Sequence, residues 1–141
     1  MFKILVPVDG SANALRALDY LVALARNHAA LRCELLHVRQ PFGVREHGYR
    51  TNEQLAAMDS GAAQQALQPA QAALDAAGMP YASASLEGDA GHTIVTHAIE
   101  AGCDSIVMGM RGMGLVLGPI SIGSVTAKVL HMAPMPVTLV K

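Results

Sequence analysis

The segment GMRGMGLVLGPISIGSVTAKVL, residues 109–130, places repeated glycines directly before a sequence that favours a helix. Glycine lets a backbone adopt positive φ and approach a ligand closely, and a helix N-terminus presents unpaired N–H groups with a partial positive charge. Together these features predict a cradle for an anion such as phosphate. Gly118 and Gly123 have P-loop spacing, but Ser124 stands where that motif requires lysine, which disfavours a Walker-type NTPase.

The sequence places no set of groups typical of catalysis. It contains no evident Ser/His/Asp set, carboxylate pair or Cys/His pair, and without the P-loop lysine nothing evident stabilises the transition-state charge of phosphoryl transfer. We therefore expect a binding module rather than an enzyme, with slow nucleotide hydrolysis as an open alternative.

The histidines do not have the spacing of metal ligands. His92 and His97 are five residues apart on a predicted helix, whereas ligation from one helix face requires a separation of three or four. His37 lies within an apolar strand, and Met108 and Met110 are typical core residues. We predict no metal site in the protein itself.

Composition limits the class of protein. The chain has 141 residues, 52% hydrophobic and 15% charged, with a net charge of −1, which predicts one globular domain over residues 1–141. Nucleic-acid binding is disfavoured because it needs a basic stripe. No apolar run approaches the roughly 18 residues of a membrane span, and the N-terminus does not resemble a signal peptide, so a cytoplasmic protein is expected. Cys33 and Cys103 are interpreted as buried reduced thiols rather than a disulfide.

Apolar runs and helical periodicity alternate along the chain. Strands are predicted at residues 2–8, 33–38, 79–86, 104–110 and 136–140, with the third near a sheet edge. Helices are predicted from the N-cap Ser11 to about residue 29, at 52–77 with Pro69 kinking or dividing it, from the N-cap Asp89 to Gly102, and at 124–132. Residues 39–52 are predicted to be an exposed loop.

This alternation predicts an α/β fold with a five-stranded, mainly parallel, doubly wound sheet. Ligands of such sheets bind beyond the carboxyl ends of the strands, where the strand order reverses. The turn at residues 8–10 and the glycine segment after the fourth strand are therefore expected to meet at one site.

Several blocks together resemble the universal stress protein family. They are Gly109-x-x-Gly112 with Gly123-Ser124, ILVPVDGS at 4–11, LLHV at 35–38, EGDAGHTIVTHA at 87–98, DSIVMGMRGMG at 104–114 and the C-terminal GSVTAKVLHMAPMPVTLVK. The blocks span nearly the whole chain in the family's order. The resemblance implies a flavodoxin-like or Rossmann-like fold, a homodimer and, in the ATP-binding branch, one nucleotide per subunit with Mg²⁺ held only through its phosphates.

The resemblance also implies roles for individual residues. The adenosine end would be formed by Pro7, Val8 and Asp9, with Asp9 accepting a hydrogen bond from the ribose, by Val38 at the adenine, and by the backbone of Met108 and Gly109. The phosphates would be surrounded by Gly112, Gly123, Ser124, Val125 and Thr126, and Arg111 could pair with a phosphate oxygen. Each site also has a plainer interpretation: Asp9 as a turn residue with Gly10, Ser124 as an N-cap and Arg111 as a solvated side chain.

One feature departs from the family pattern. The spacer between the second and third motif glycines is usually nine residues in the family, but here residues 113–122 make ten. The extra residue is compatible with a bulge in a flexible loop, with a displaced cradle or with a member that does not bind ATP.

The last strand suggests how two chains associate. An apolar strand at a sheet border leaves an unpaired edge, which pairing with a second copy removes. Three functions remain open at this point: an ATP-binding stress-response protein whose state is read by a protein partner, a dimeric interaction module without nucleotide, and a weak ATPase or phosphotransfer enzyme.

Overall fold

The computed structural model describes residues 1–28, 30–40, 52–110 and 122–141. Within this part of the chain, strands and helices alternate as predicted. The strands are β1 (Phe2–Pro7), β2 (Leu31–Arg39), β3 (Tyr81–Glu87), β4 (Ser105–Gly109) and β5 (Val137–Val140), and the helices are α1 (Ala12–Ala25), α2 (Asn52–Ala76), α3 (Ala90–Glu100) and α4 (Ser124–Met132). The first helix ends at Ala25 rather than near residue 29. Most of the predicted 39–52 loop lies outside the described residues.

The five strands form one parallel sheet in the order β3-β2-β1-β4-β5. The chain builds outward from β1 to β3, crosses back, and continues from β4 to β5. The strand order therefore reverses between β1 and β4, which confirms the doubly wound fold. The third and fifth strands form the two edges. The edge position of the third strand was predicted from its sequence.

Each face of the sheet is covered by helices, and side chains of β1 alternate between the two faces. Ile4 and Val6 belong to one buried cluster with residues of α1 and α2, and Leu5 belongs to a second cluster with residues of α3 and α4. The apolar sequence of β1 is therefore explained by burial on both sides.

Side-chain caps begin α1 and α3. The N–H of Ala14 donates to Ser11 Oγ at 3.2 Å, and the N–H of His92 donates to Asp89 Oδ2 at 3.0 Å. Both N-caps predicted from the sequence are confirmed, because each oxygen satisfies an N–H that has no partner within its helix.

Of the two outcomes predicted for Pro69, a kink or a division of the second helix, division does not occur, because α2 runs without interruption through Pro69. Ala66, Ala70 and Leu74 are buried on either side of it, at no more than 5% exposure, while Pro69 itself is exposed. Packing of this face against the sheet offsets the hydrogen bond that proline removes. No helix of the described segments is long and apolar enough to cross a membrane.

Candidate functional site

The end of β1 is a tight turn. Val8 is buried, and its N–H donates to the carbonyl of Leu36 in β2 at 2.8 Å. The exposed Asp9 accepts a hydrogen bond from the N–H of Ser11 through Oδ1 at 2.9 Å, and Gly10 has a φ of 84°. A positive φ at this point favours glycine. The turn interpretation of Asp9 is thus confirmed, and its contact with a ribose stays a prediction.

The end of β4 is held tightly between helices. Met108 is buried in the core cluster shared with α3 and α4. A Cβ added to Gly109 would lie 2.8 Å from Asn13 Cβ and 2.9 Å from the Asn13 carbonyl carbon. Side-chain atoms do not occupy such space, so the first turn of α1 alone requires glycine at this position.

The sequence did not predict this requirement. The family resemblance explained the glycine at position 109 by its backbone lying close to a ligand. The residue that imposes the requirement is Asn13, which follows the Asp9 turn in the chain. No pattern in the sequence links positions 13 and 109, because the contact exists only after β1 and β4 become neighbours in the sheet.

The N-terminus of α4 adjoins the end of β4. Gly123 is the N-cap residue and, having no side chain, makes no side-chain cap; its own N–H donates to the carbonyl of Met110 at 3.0 Å. Ser124 is exposed, whereas Val125 packs partly against the core. Among the bonds of the described residues, none satisfies the N–H groups of Ser124, Val125 and Thr126. The first N–H groups of a helix have no acceptor within the helix itself, which makes them suitable donors to an anion.

Thr126 does not share the exposure of Ser124. Its side chain is buried, with 2% exposed, and Oγ1 donates to the carbonyl of Gly109 at 3.1 Å. Within the described part of the molecule its hydroxyl therefore ties α4 to β4. Direct contact of this side chain with phosphate, predicted from the resemblance, remains untested.

The site residues predicted from the sequence lie along one edge of the sheet. Pro7 to Asp9 and Met108 to Gly109 lie at the carboxyl ends of the adjacent β1 and β4, and Val38 lies near the end of β2, two residues beyond the partner of Pro7. The N-terminus of α4 lies beside them, because the Gly123 N–H donates to the carbonyl of Met110, which directly follows β4. Arg111, Gly112 and nearly all of the ten-residue spacer lie outside the described residues.

Charged pairs flank this edge. Arg39 Nη2 at the end of β2 lies 3.2 Å from Glu87 Oε2 at the end of β3. Lys128 Nζ of α4 lies 2.7 Å from Asp89 Oδ2. The hydrogen bond from Lys128, together with the N–H of His92, lowers the pKa of Asp89 below its usual value. Asp89 thus serves both as the cap of α3 and as the link between α3 and α4.

Two histidines have structural partners. His97 Nε2 lies 3.2 Å from Glu34 Oε1, and His37 Nδ1 lies 3.2 Å from Ser85 Oγ. Burial lowers the pKa of His37. Across the four described segments, no three His, Cys, Asp or Glu side chains come together in a way that could hold a metal ion.

The cysteines are free and buried. Burial is the main cause that raises the pKa of Cys33 to about 12 and that of Cys103 to about 11. Since the thiolate is the reactive form, neither thiol has the character of a nucleophile.

Comparison with known families identifies this architecture. The model of the universal stress protein family matches residues 1–141. The chain belongs to this family. A universal stress protein of Synechocystis is 35% identical over 144 residues, covering 99% of this chain and 86% of the relative. A universal stress protein of Thermus aquaticus is 34% identical over 147 residues, covering all of both chains.

Solved structures agree with the family assignment. A hypothetical protein studied as a test case of structural genomics superposes with a TM-score of 0.84 at 27% identity, covering 99% of this chain and 94% of the other. A family member from Burkholderia pseudomallei has a TM-score of 0.73 at 28% identity, covering 98% and 94% of the two chains.

Some universal stress proteins with the same fold were solved with nucleotides. One from Arabidopsis thaliana, with AMP bound, has a TM-score of 0.74 at 21% identity and covers 100% of this chain and 92% of its own. Others contain cAMP and, in the protein from Archaeoglobus fulgidus, dAMP, with TM-scores of 0.67 and 0.68, each at 24% identity. At these identities the likeness establishes the fold.

Proposed function

We propose that this universal stress protein binds an adenine nucleotide in the crevice at the carboxyl ends of β1 and β4, with ATP and phosphate-bound Mg²⁺ as the physiological form. The observation that carries the proposal is the placement of a helix N-terminus, with glycine as its N-cap, at the switch point of the sheet. The N–H of Gly123 bonds to Met110 directly after β4, so α4 begins beside this crevice. Fold relatives with bound AMP, cAMP and dAMP support an adenine nucleotide as the ligand.

The proposal assigns the two ends of the ligand to different elements. Adenosine lies against Pro7, Val8 and Val38, and Asp9 accepts a hydrogen bond from the ribose. Phosphate is held by the N–H groups at the start of α4, where the helix dipole favours negative charge. Neighbouring phosphate contacts are assigned to Arg111 and Gly112.

Binding, rather than turnover, is the proposed activity. Two carboxylates near this edge have structural roles: Asp9 accepts a hydrogen bond in the turn after β1, and Asp89 caps α3 and pairs with Lys128. We propose that a protein partner reads the nucleotide state. Slow hydrolysis would require a group that stabilises transition-state charge.

We also propose that the protein is a homodimer joined through β5. This strand is a sheet edge, and each of its four residues is only partly buried. The bonds from Ile106 N–H to the Pro136 carbonyl and from Met110 N–H to the Val140 carbonyl direct alternate backbone groups toward β4. The intervening groups face outward and offer hydrogen bonds to a second copy.

Substitution at Ser124 tests nucleotide binding with little risk to the fold. Its side chain is exposed, and the N-cap position of α4 is occupied by Gly123 rather than by Ser124. Ser124→Glu places a negative charge at the helix N-terminus, which favours the helix but repels phosphate. Ser124→Gln is the matched control, because glutamine has nearly the same size as glutamate and carries no charge.

The measurement is calorimetric titration of the three proteins with Mg²⁺-ATP, AMP and adenosine. For the unaltered protein we expect micromolar affinity for nucleotide, about −8 kcal/mol. Ser124→Glu should bind both nucleotides at least tenfold more weakly, and Ser124→Gln should show a smaller effect. Adenosine should bind both variants as it binds the unaltered protein. Equal nucleotide affinity in the Glu and Gln variants would refute the phosphate assignment. Absence of nucleotide binding by the unaltered protein would favour the dimeric interaction module.

A further inference from the structure

The carbonyl of Gly109 lies beyond the part of β4 that pairs with β1. The pairing between β1 and β4 consists of Ile4 with Ser105 and Leu5 with Ile106, whereas β1 and β2 are paired along all of β1. Gly109 therefore lies three residues beyond the last pair with β1. At this point, the Thr126 hydroxyl donates to the Gly109 carbonyl, where a neighbouring strand would otherwise supply an N–H.

Within the described segments, three hydrogen bonds hold Gly109 at the end of β4 and Met110 directly after it. Besides the bond from Thr126, the Met110 N–H donates to the Val140 carbonyl at 2.9 Å and the Gly123 N–H donates to the Met110 carbonyl at 3.0 Å. Two of these bonds come from the beginning of α4. The position of that helix relative to β4 is therefore fixed at its N-terminal end.

The opposite side of Gly109 is also occupied. The first turn of α1 lies so close that a Cβ would be 2.8 Å from that of Asn13. The two helix starts that border the crevice therefore meet at one residue. Movement of α4 away from Gly109 would change its distance from the Asp9 turn, which leads into α1.

We propose that Thr126 is a positioning residue that sets the phosphate-binding end of the site without contacting the ligand. Its buried hydroxyl fixes the first turn of α4 against Gly109, and this fixes the position of the first amides of the helix, those of Ser124 and Val125. This inference rests on the proposed nucleotide function. It assigns Thr126 a role different from the phosphate contact that the family resemblance implies.

Threonine suits this role for two reasons. Its branched β-carbon restricts the side-chain rotamer, so the hydroxyl is held in one direction. Valine has nearly the same shape but no donor, and it would leave the Gly109 carbonyl without this partner. Serine keeps the donor and loses only a methyl group.

The experiment compares the full chain with Thr126→Val and Thr126→Ser. Calorimetry with AMP and with adenosine measures the phosphate-dependent and phosphate-independent parts of binding. For Thr126→Val we expect about tenfold weaker AMP binding with adenosine affinity unchanged, and for Thr126→Ser we expect AMP affinity close to that of the unaltered protein. Equal loss for AMP and adenosine, or no loss for AMP, would overturn the inference.

Amide hydrogen exchange provides a second readout that does not require a ligand. We expect faster exchange at residues 124–128 in Thr126→Val than in Thr126→Ser, with exchange at the start of α3 unchanged. If the unaltered protein binds neither ligand, the nucleotide proposal fails, and unchanged exchange in α4 would then refute the positioning role separately. Thr126→Ala serves the same comparison if Thr126→Val does not fold.

Discussion

The burial of His37 makes the stability of the folded protein depend on the protonation of one side chain. His37 is 9% exposed and lies next to Ser85 across the pairing of β2 with β3. Burial is the main cause that lowers its pKa; the charge of Arg39 adds to this effect, and that of Asp9 opposes it. The folded state therefore favours the neutral imidazole.

Acidification is expected to destabilise the protein through His37. A histidine with a depressed pKa in the folded state contributes stability that is present above its unfolded pKa of about 6.5 and is lost as pH falls through the folded pKa. Urea unfolding between pH 8 and pH 5 should show a decline that is smaller in His37→Gln. His28→Gln, at an exposed position, should follow the unaltered protein, and an identical decline in His37→Gln would contradict this prediction.

At the scale of elements, α2 shows how packing can override local preference. Pro69 lacks the N–H that would bond one turn back, yet the helix continues because its buried face lies against β2 and α1. Local propensity predicted a kink or a division at Pro69. Burial of the residues around Pro69 determines the outcome.

Replacing this proline should stabilise the helix. Pro69→Ala restores a donor and a favourable helix residue at an exposed position, so the free energy of unfolding should rise by up to about 3 kcal/mol. The measurement is the urea midpoint at constant slope, with Gln68→Ala as the control at the neighbouring exposed position. A midpoint that does not rise beyond that control would show that the proline costs α2 nothing.

At the scale of the whole molecule, the two sheet edges allow a controlled test of the dimer. Thr138 in β5 and Ser83 in β3 are both on edge strands. Both lie on the face covered by α1 and α2, since Val140 and Tyr81, each two residues away in the same strand, pack there. A lysine on an edge strand discourages pairing with another strand.

Light scattering of the unaltered protein should give twice the 14.7 kDa mass of one chain. Thr138→Lys should give a mass close to one chain at the same concentration, while Ser83→Lys should remain dimeric. If Ser83→Lys dissociates and Thr138→Lys does not, the interface lies at β3. A monomeric unaltered protein would refute the proposed dimer altogether.

The sequence by itself determined the order and type of the elements in the described segments. Apolar runs marked the buried strands, helical spacing marked α1 and α3, and Ser11 and Asp89 identified their starts, because each of these signals depends on residues within a few positions of one another. The alternation of strands and helices also predicted that the turn at residues 8–10 and the segment after the fourth strand meet at the switch point.

Only the tertiary structure determined which contacts require particular residues at the switch point of the sheet. The contact of Gly109 with Asn13 and the bond from Thr126 to Gly109 join three elements that are distant in sequence. The same holds for the pairing of Glu34 with His97 between β2 and α3. Sequence spacing does not encode these contacts, because they arise from strand order and from the way the helices pack across the sheet.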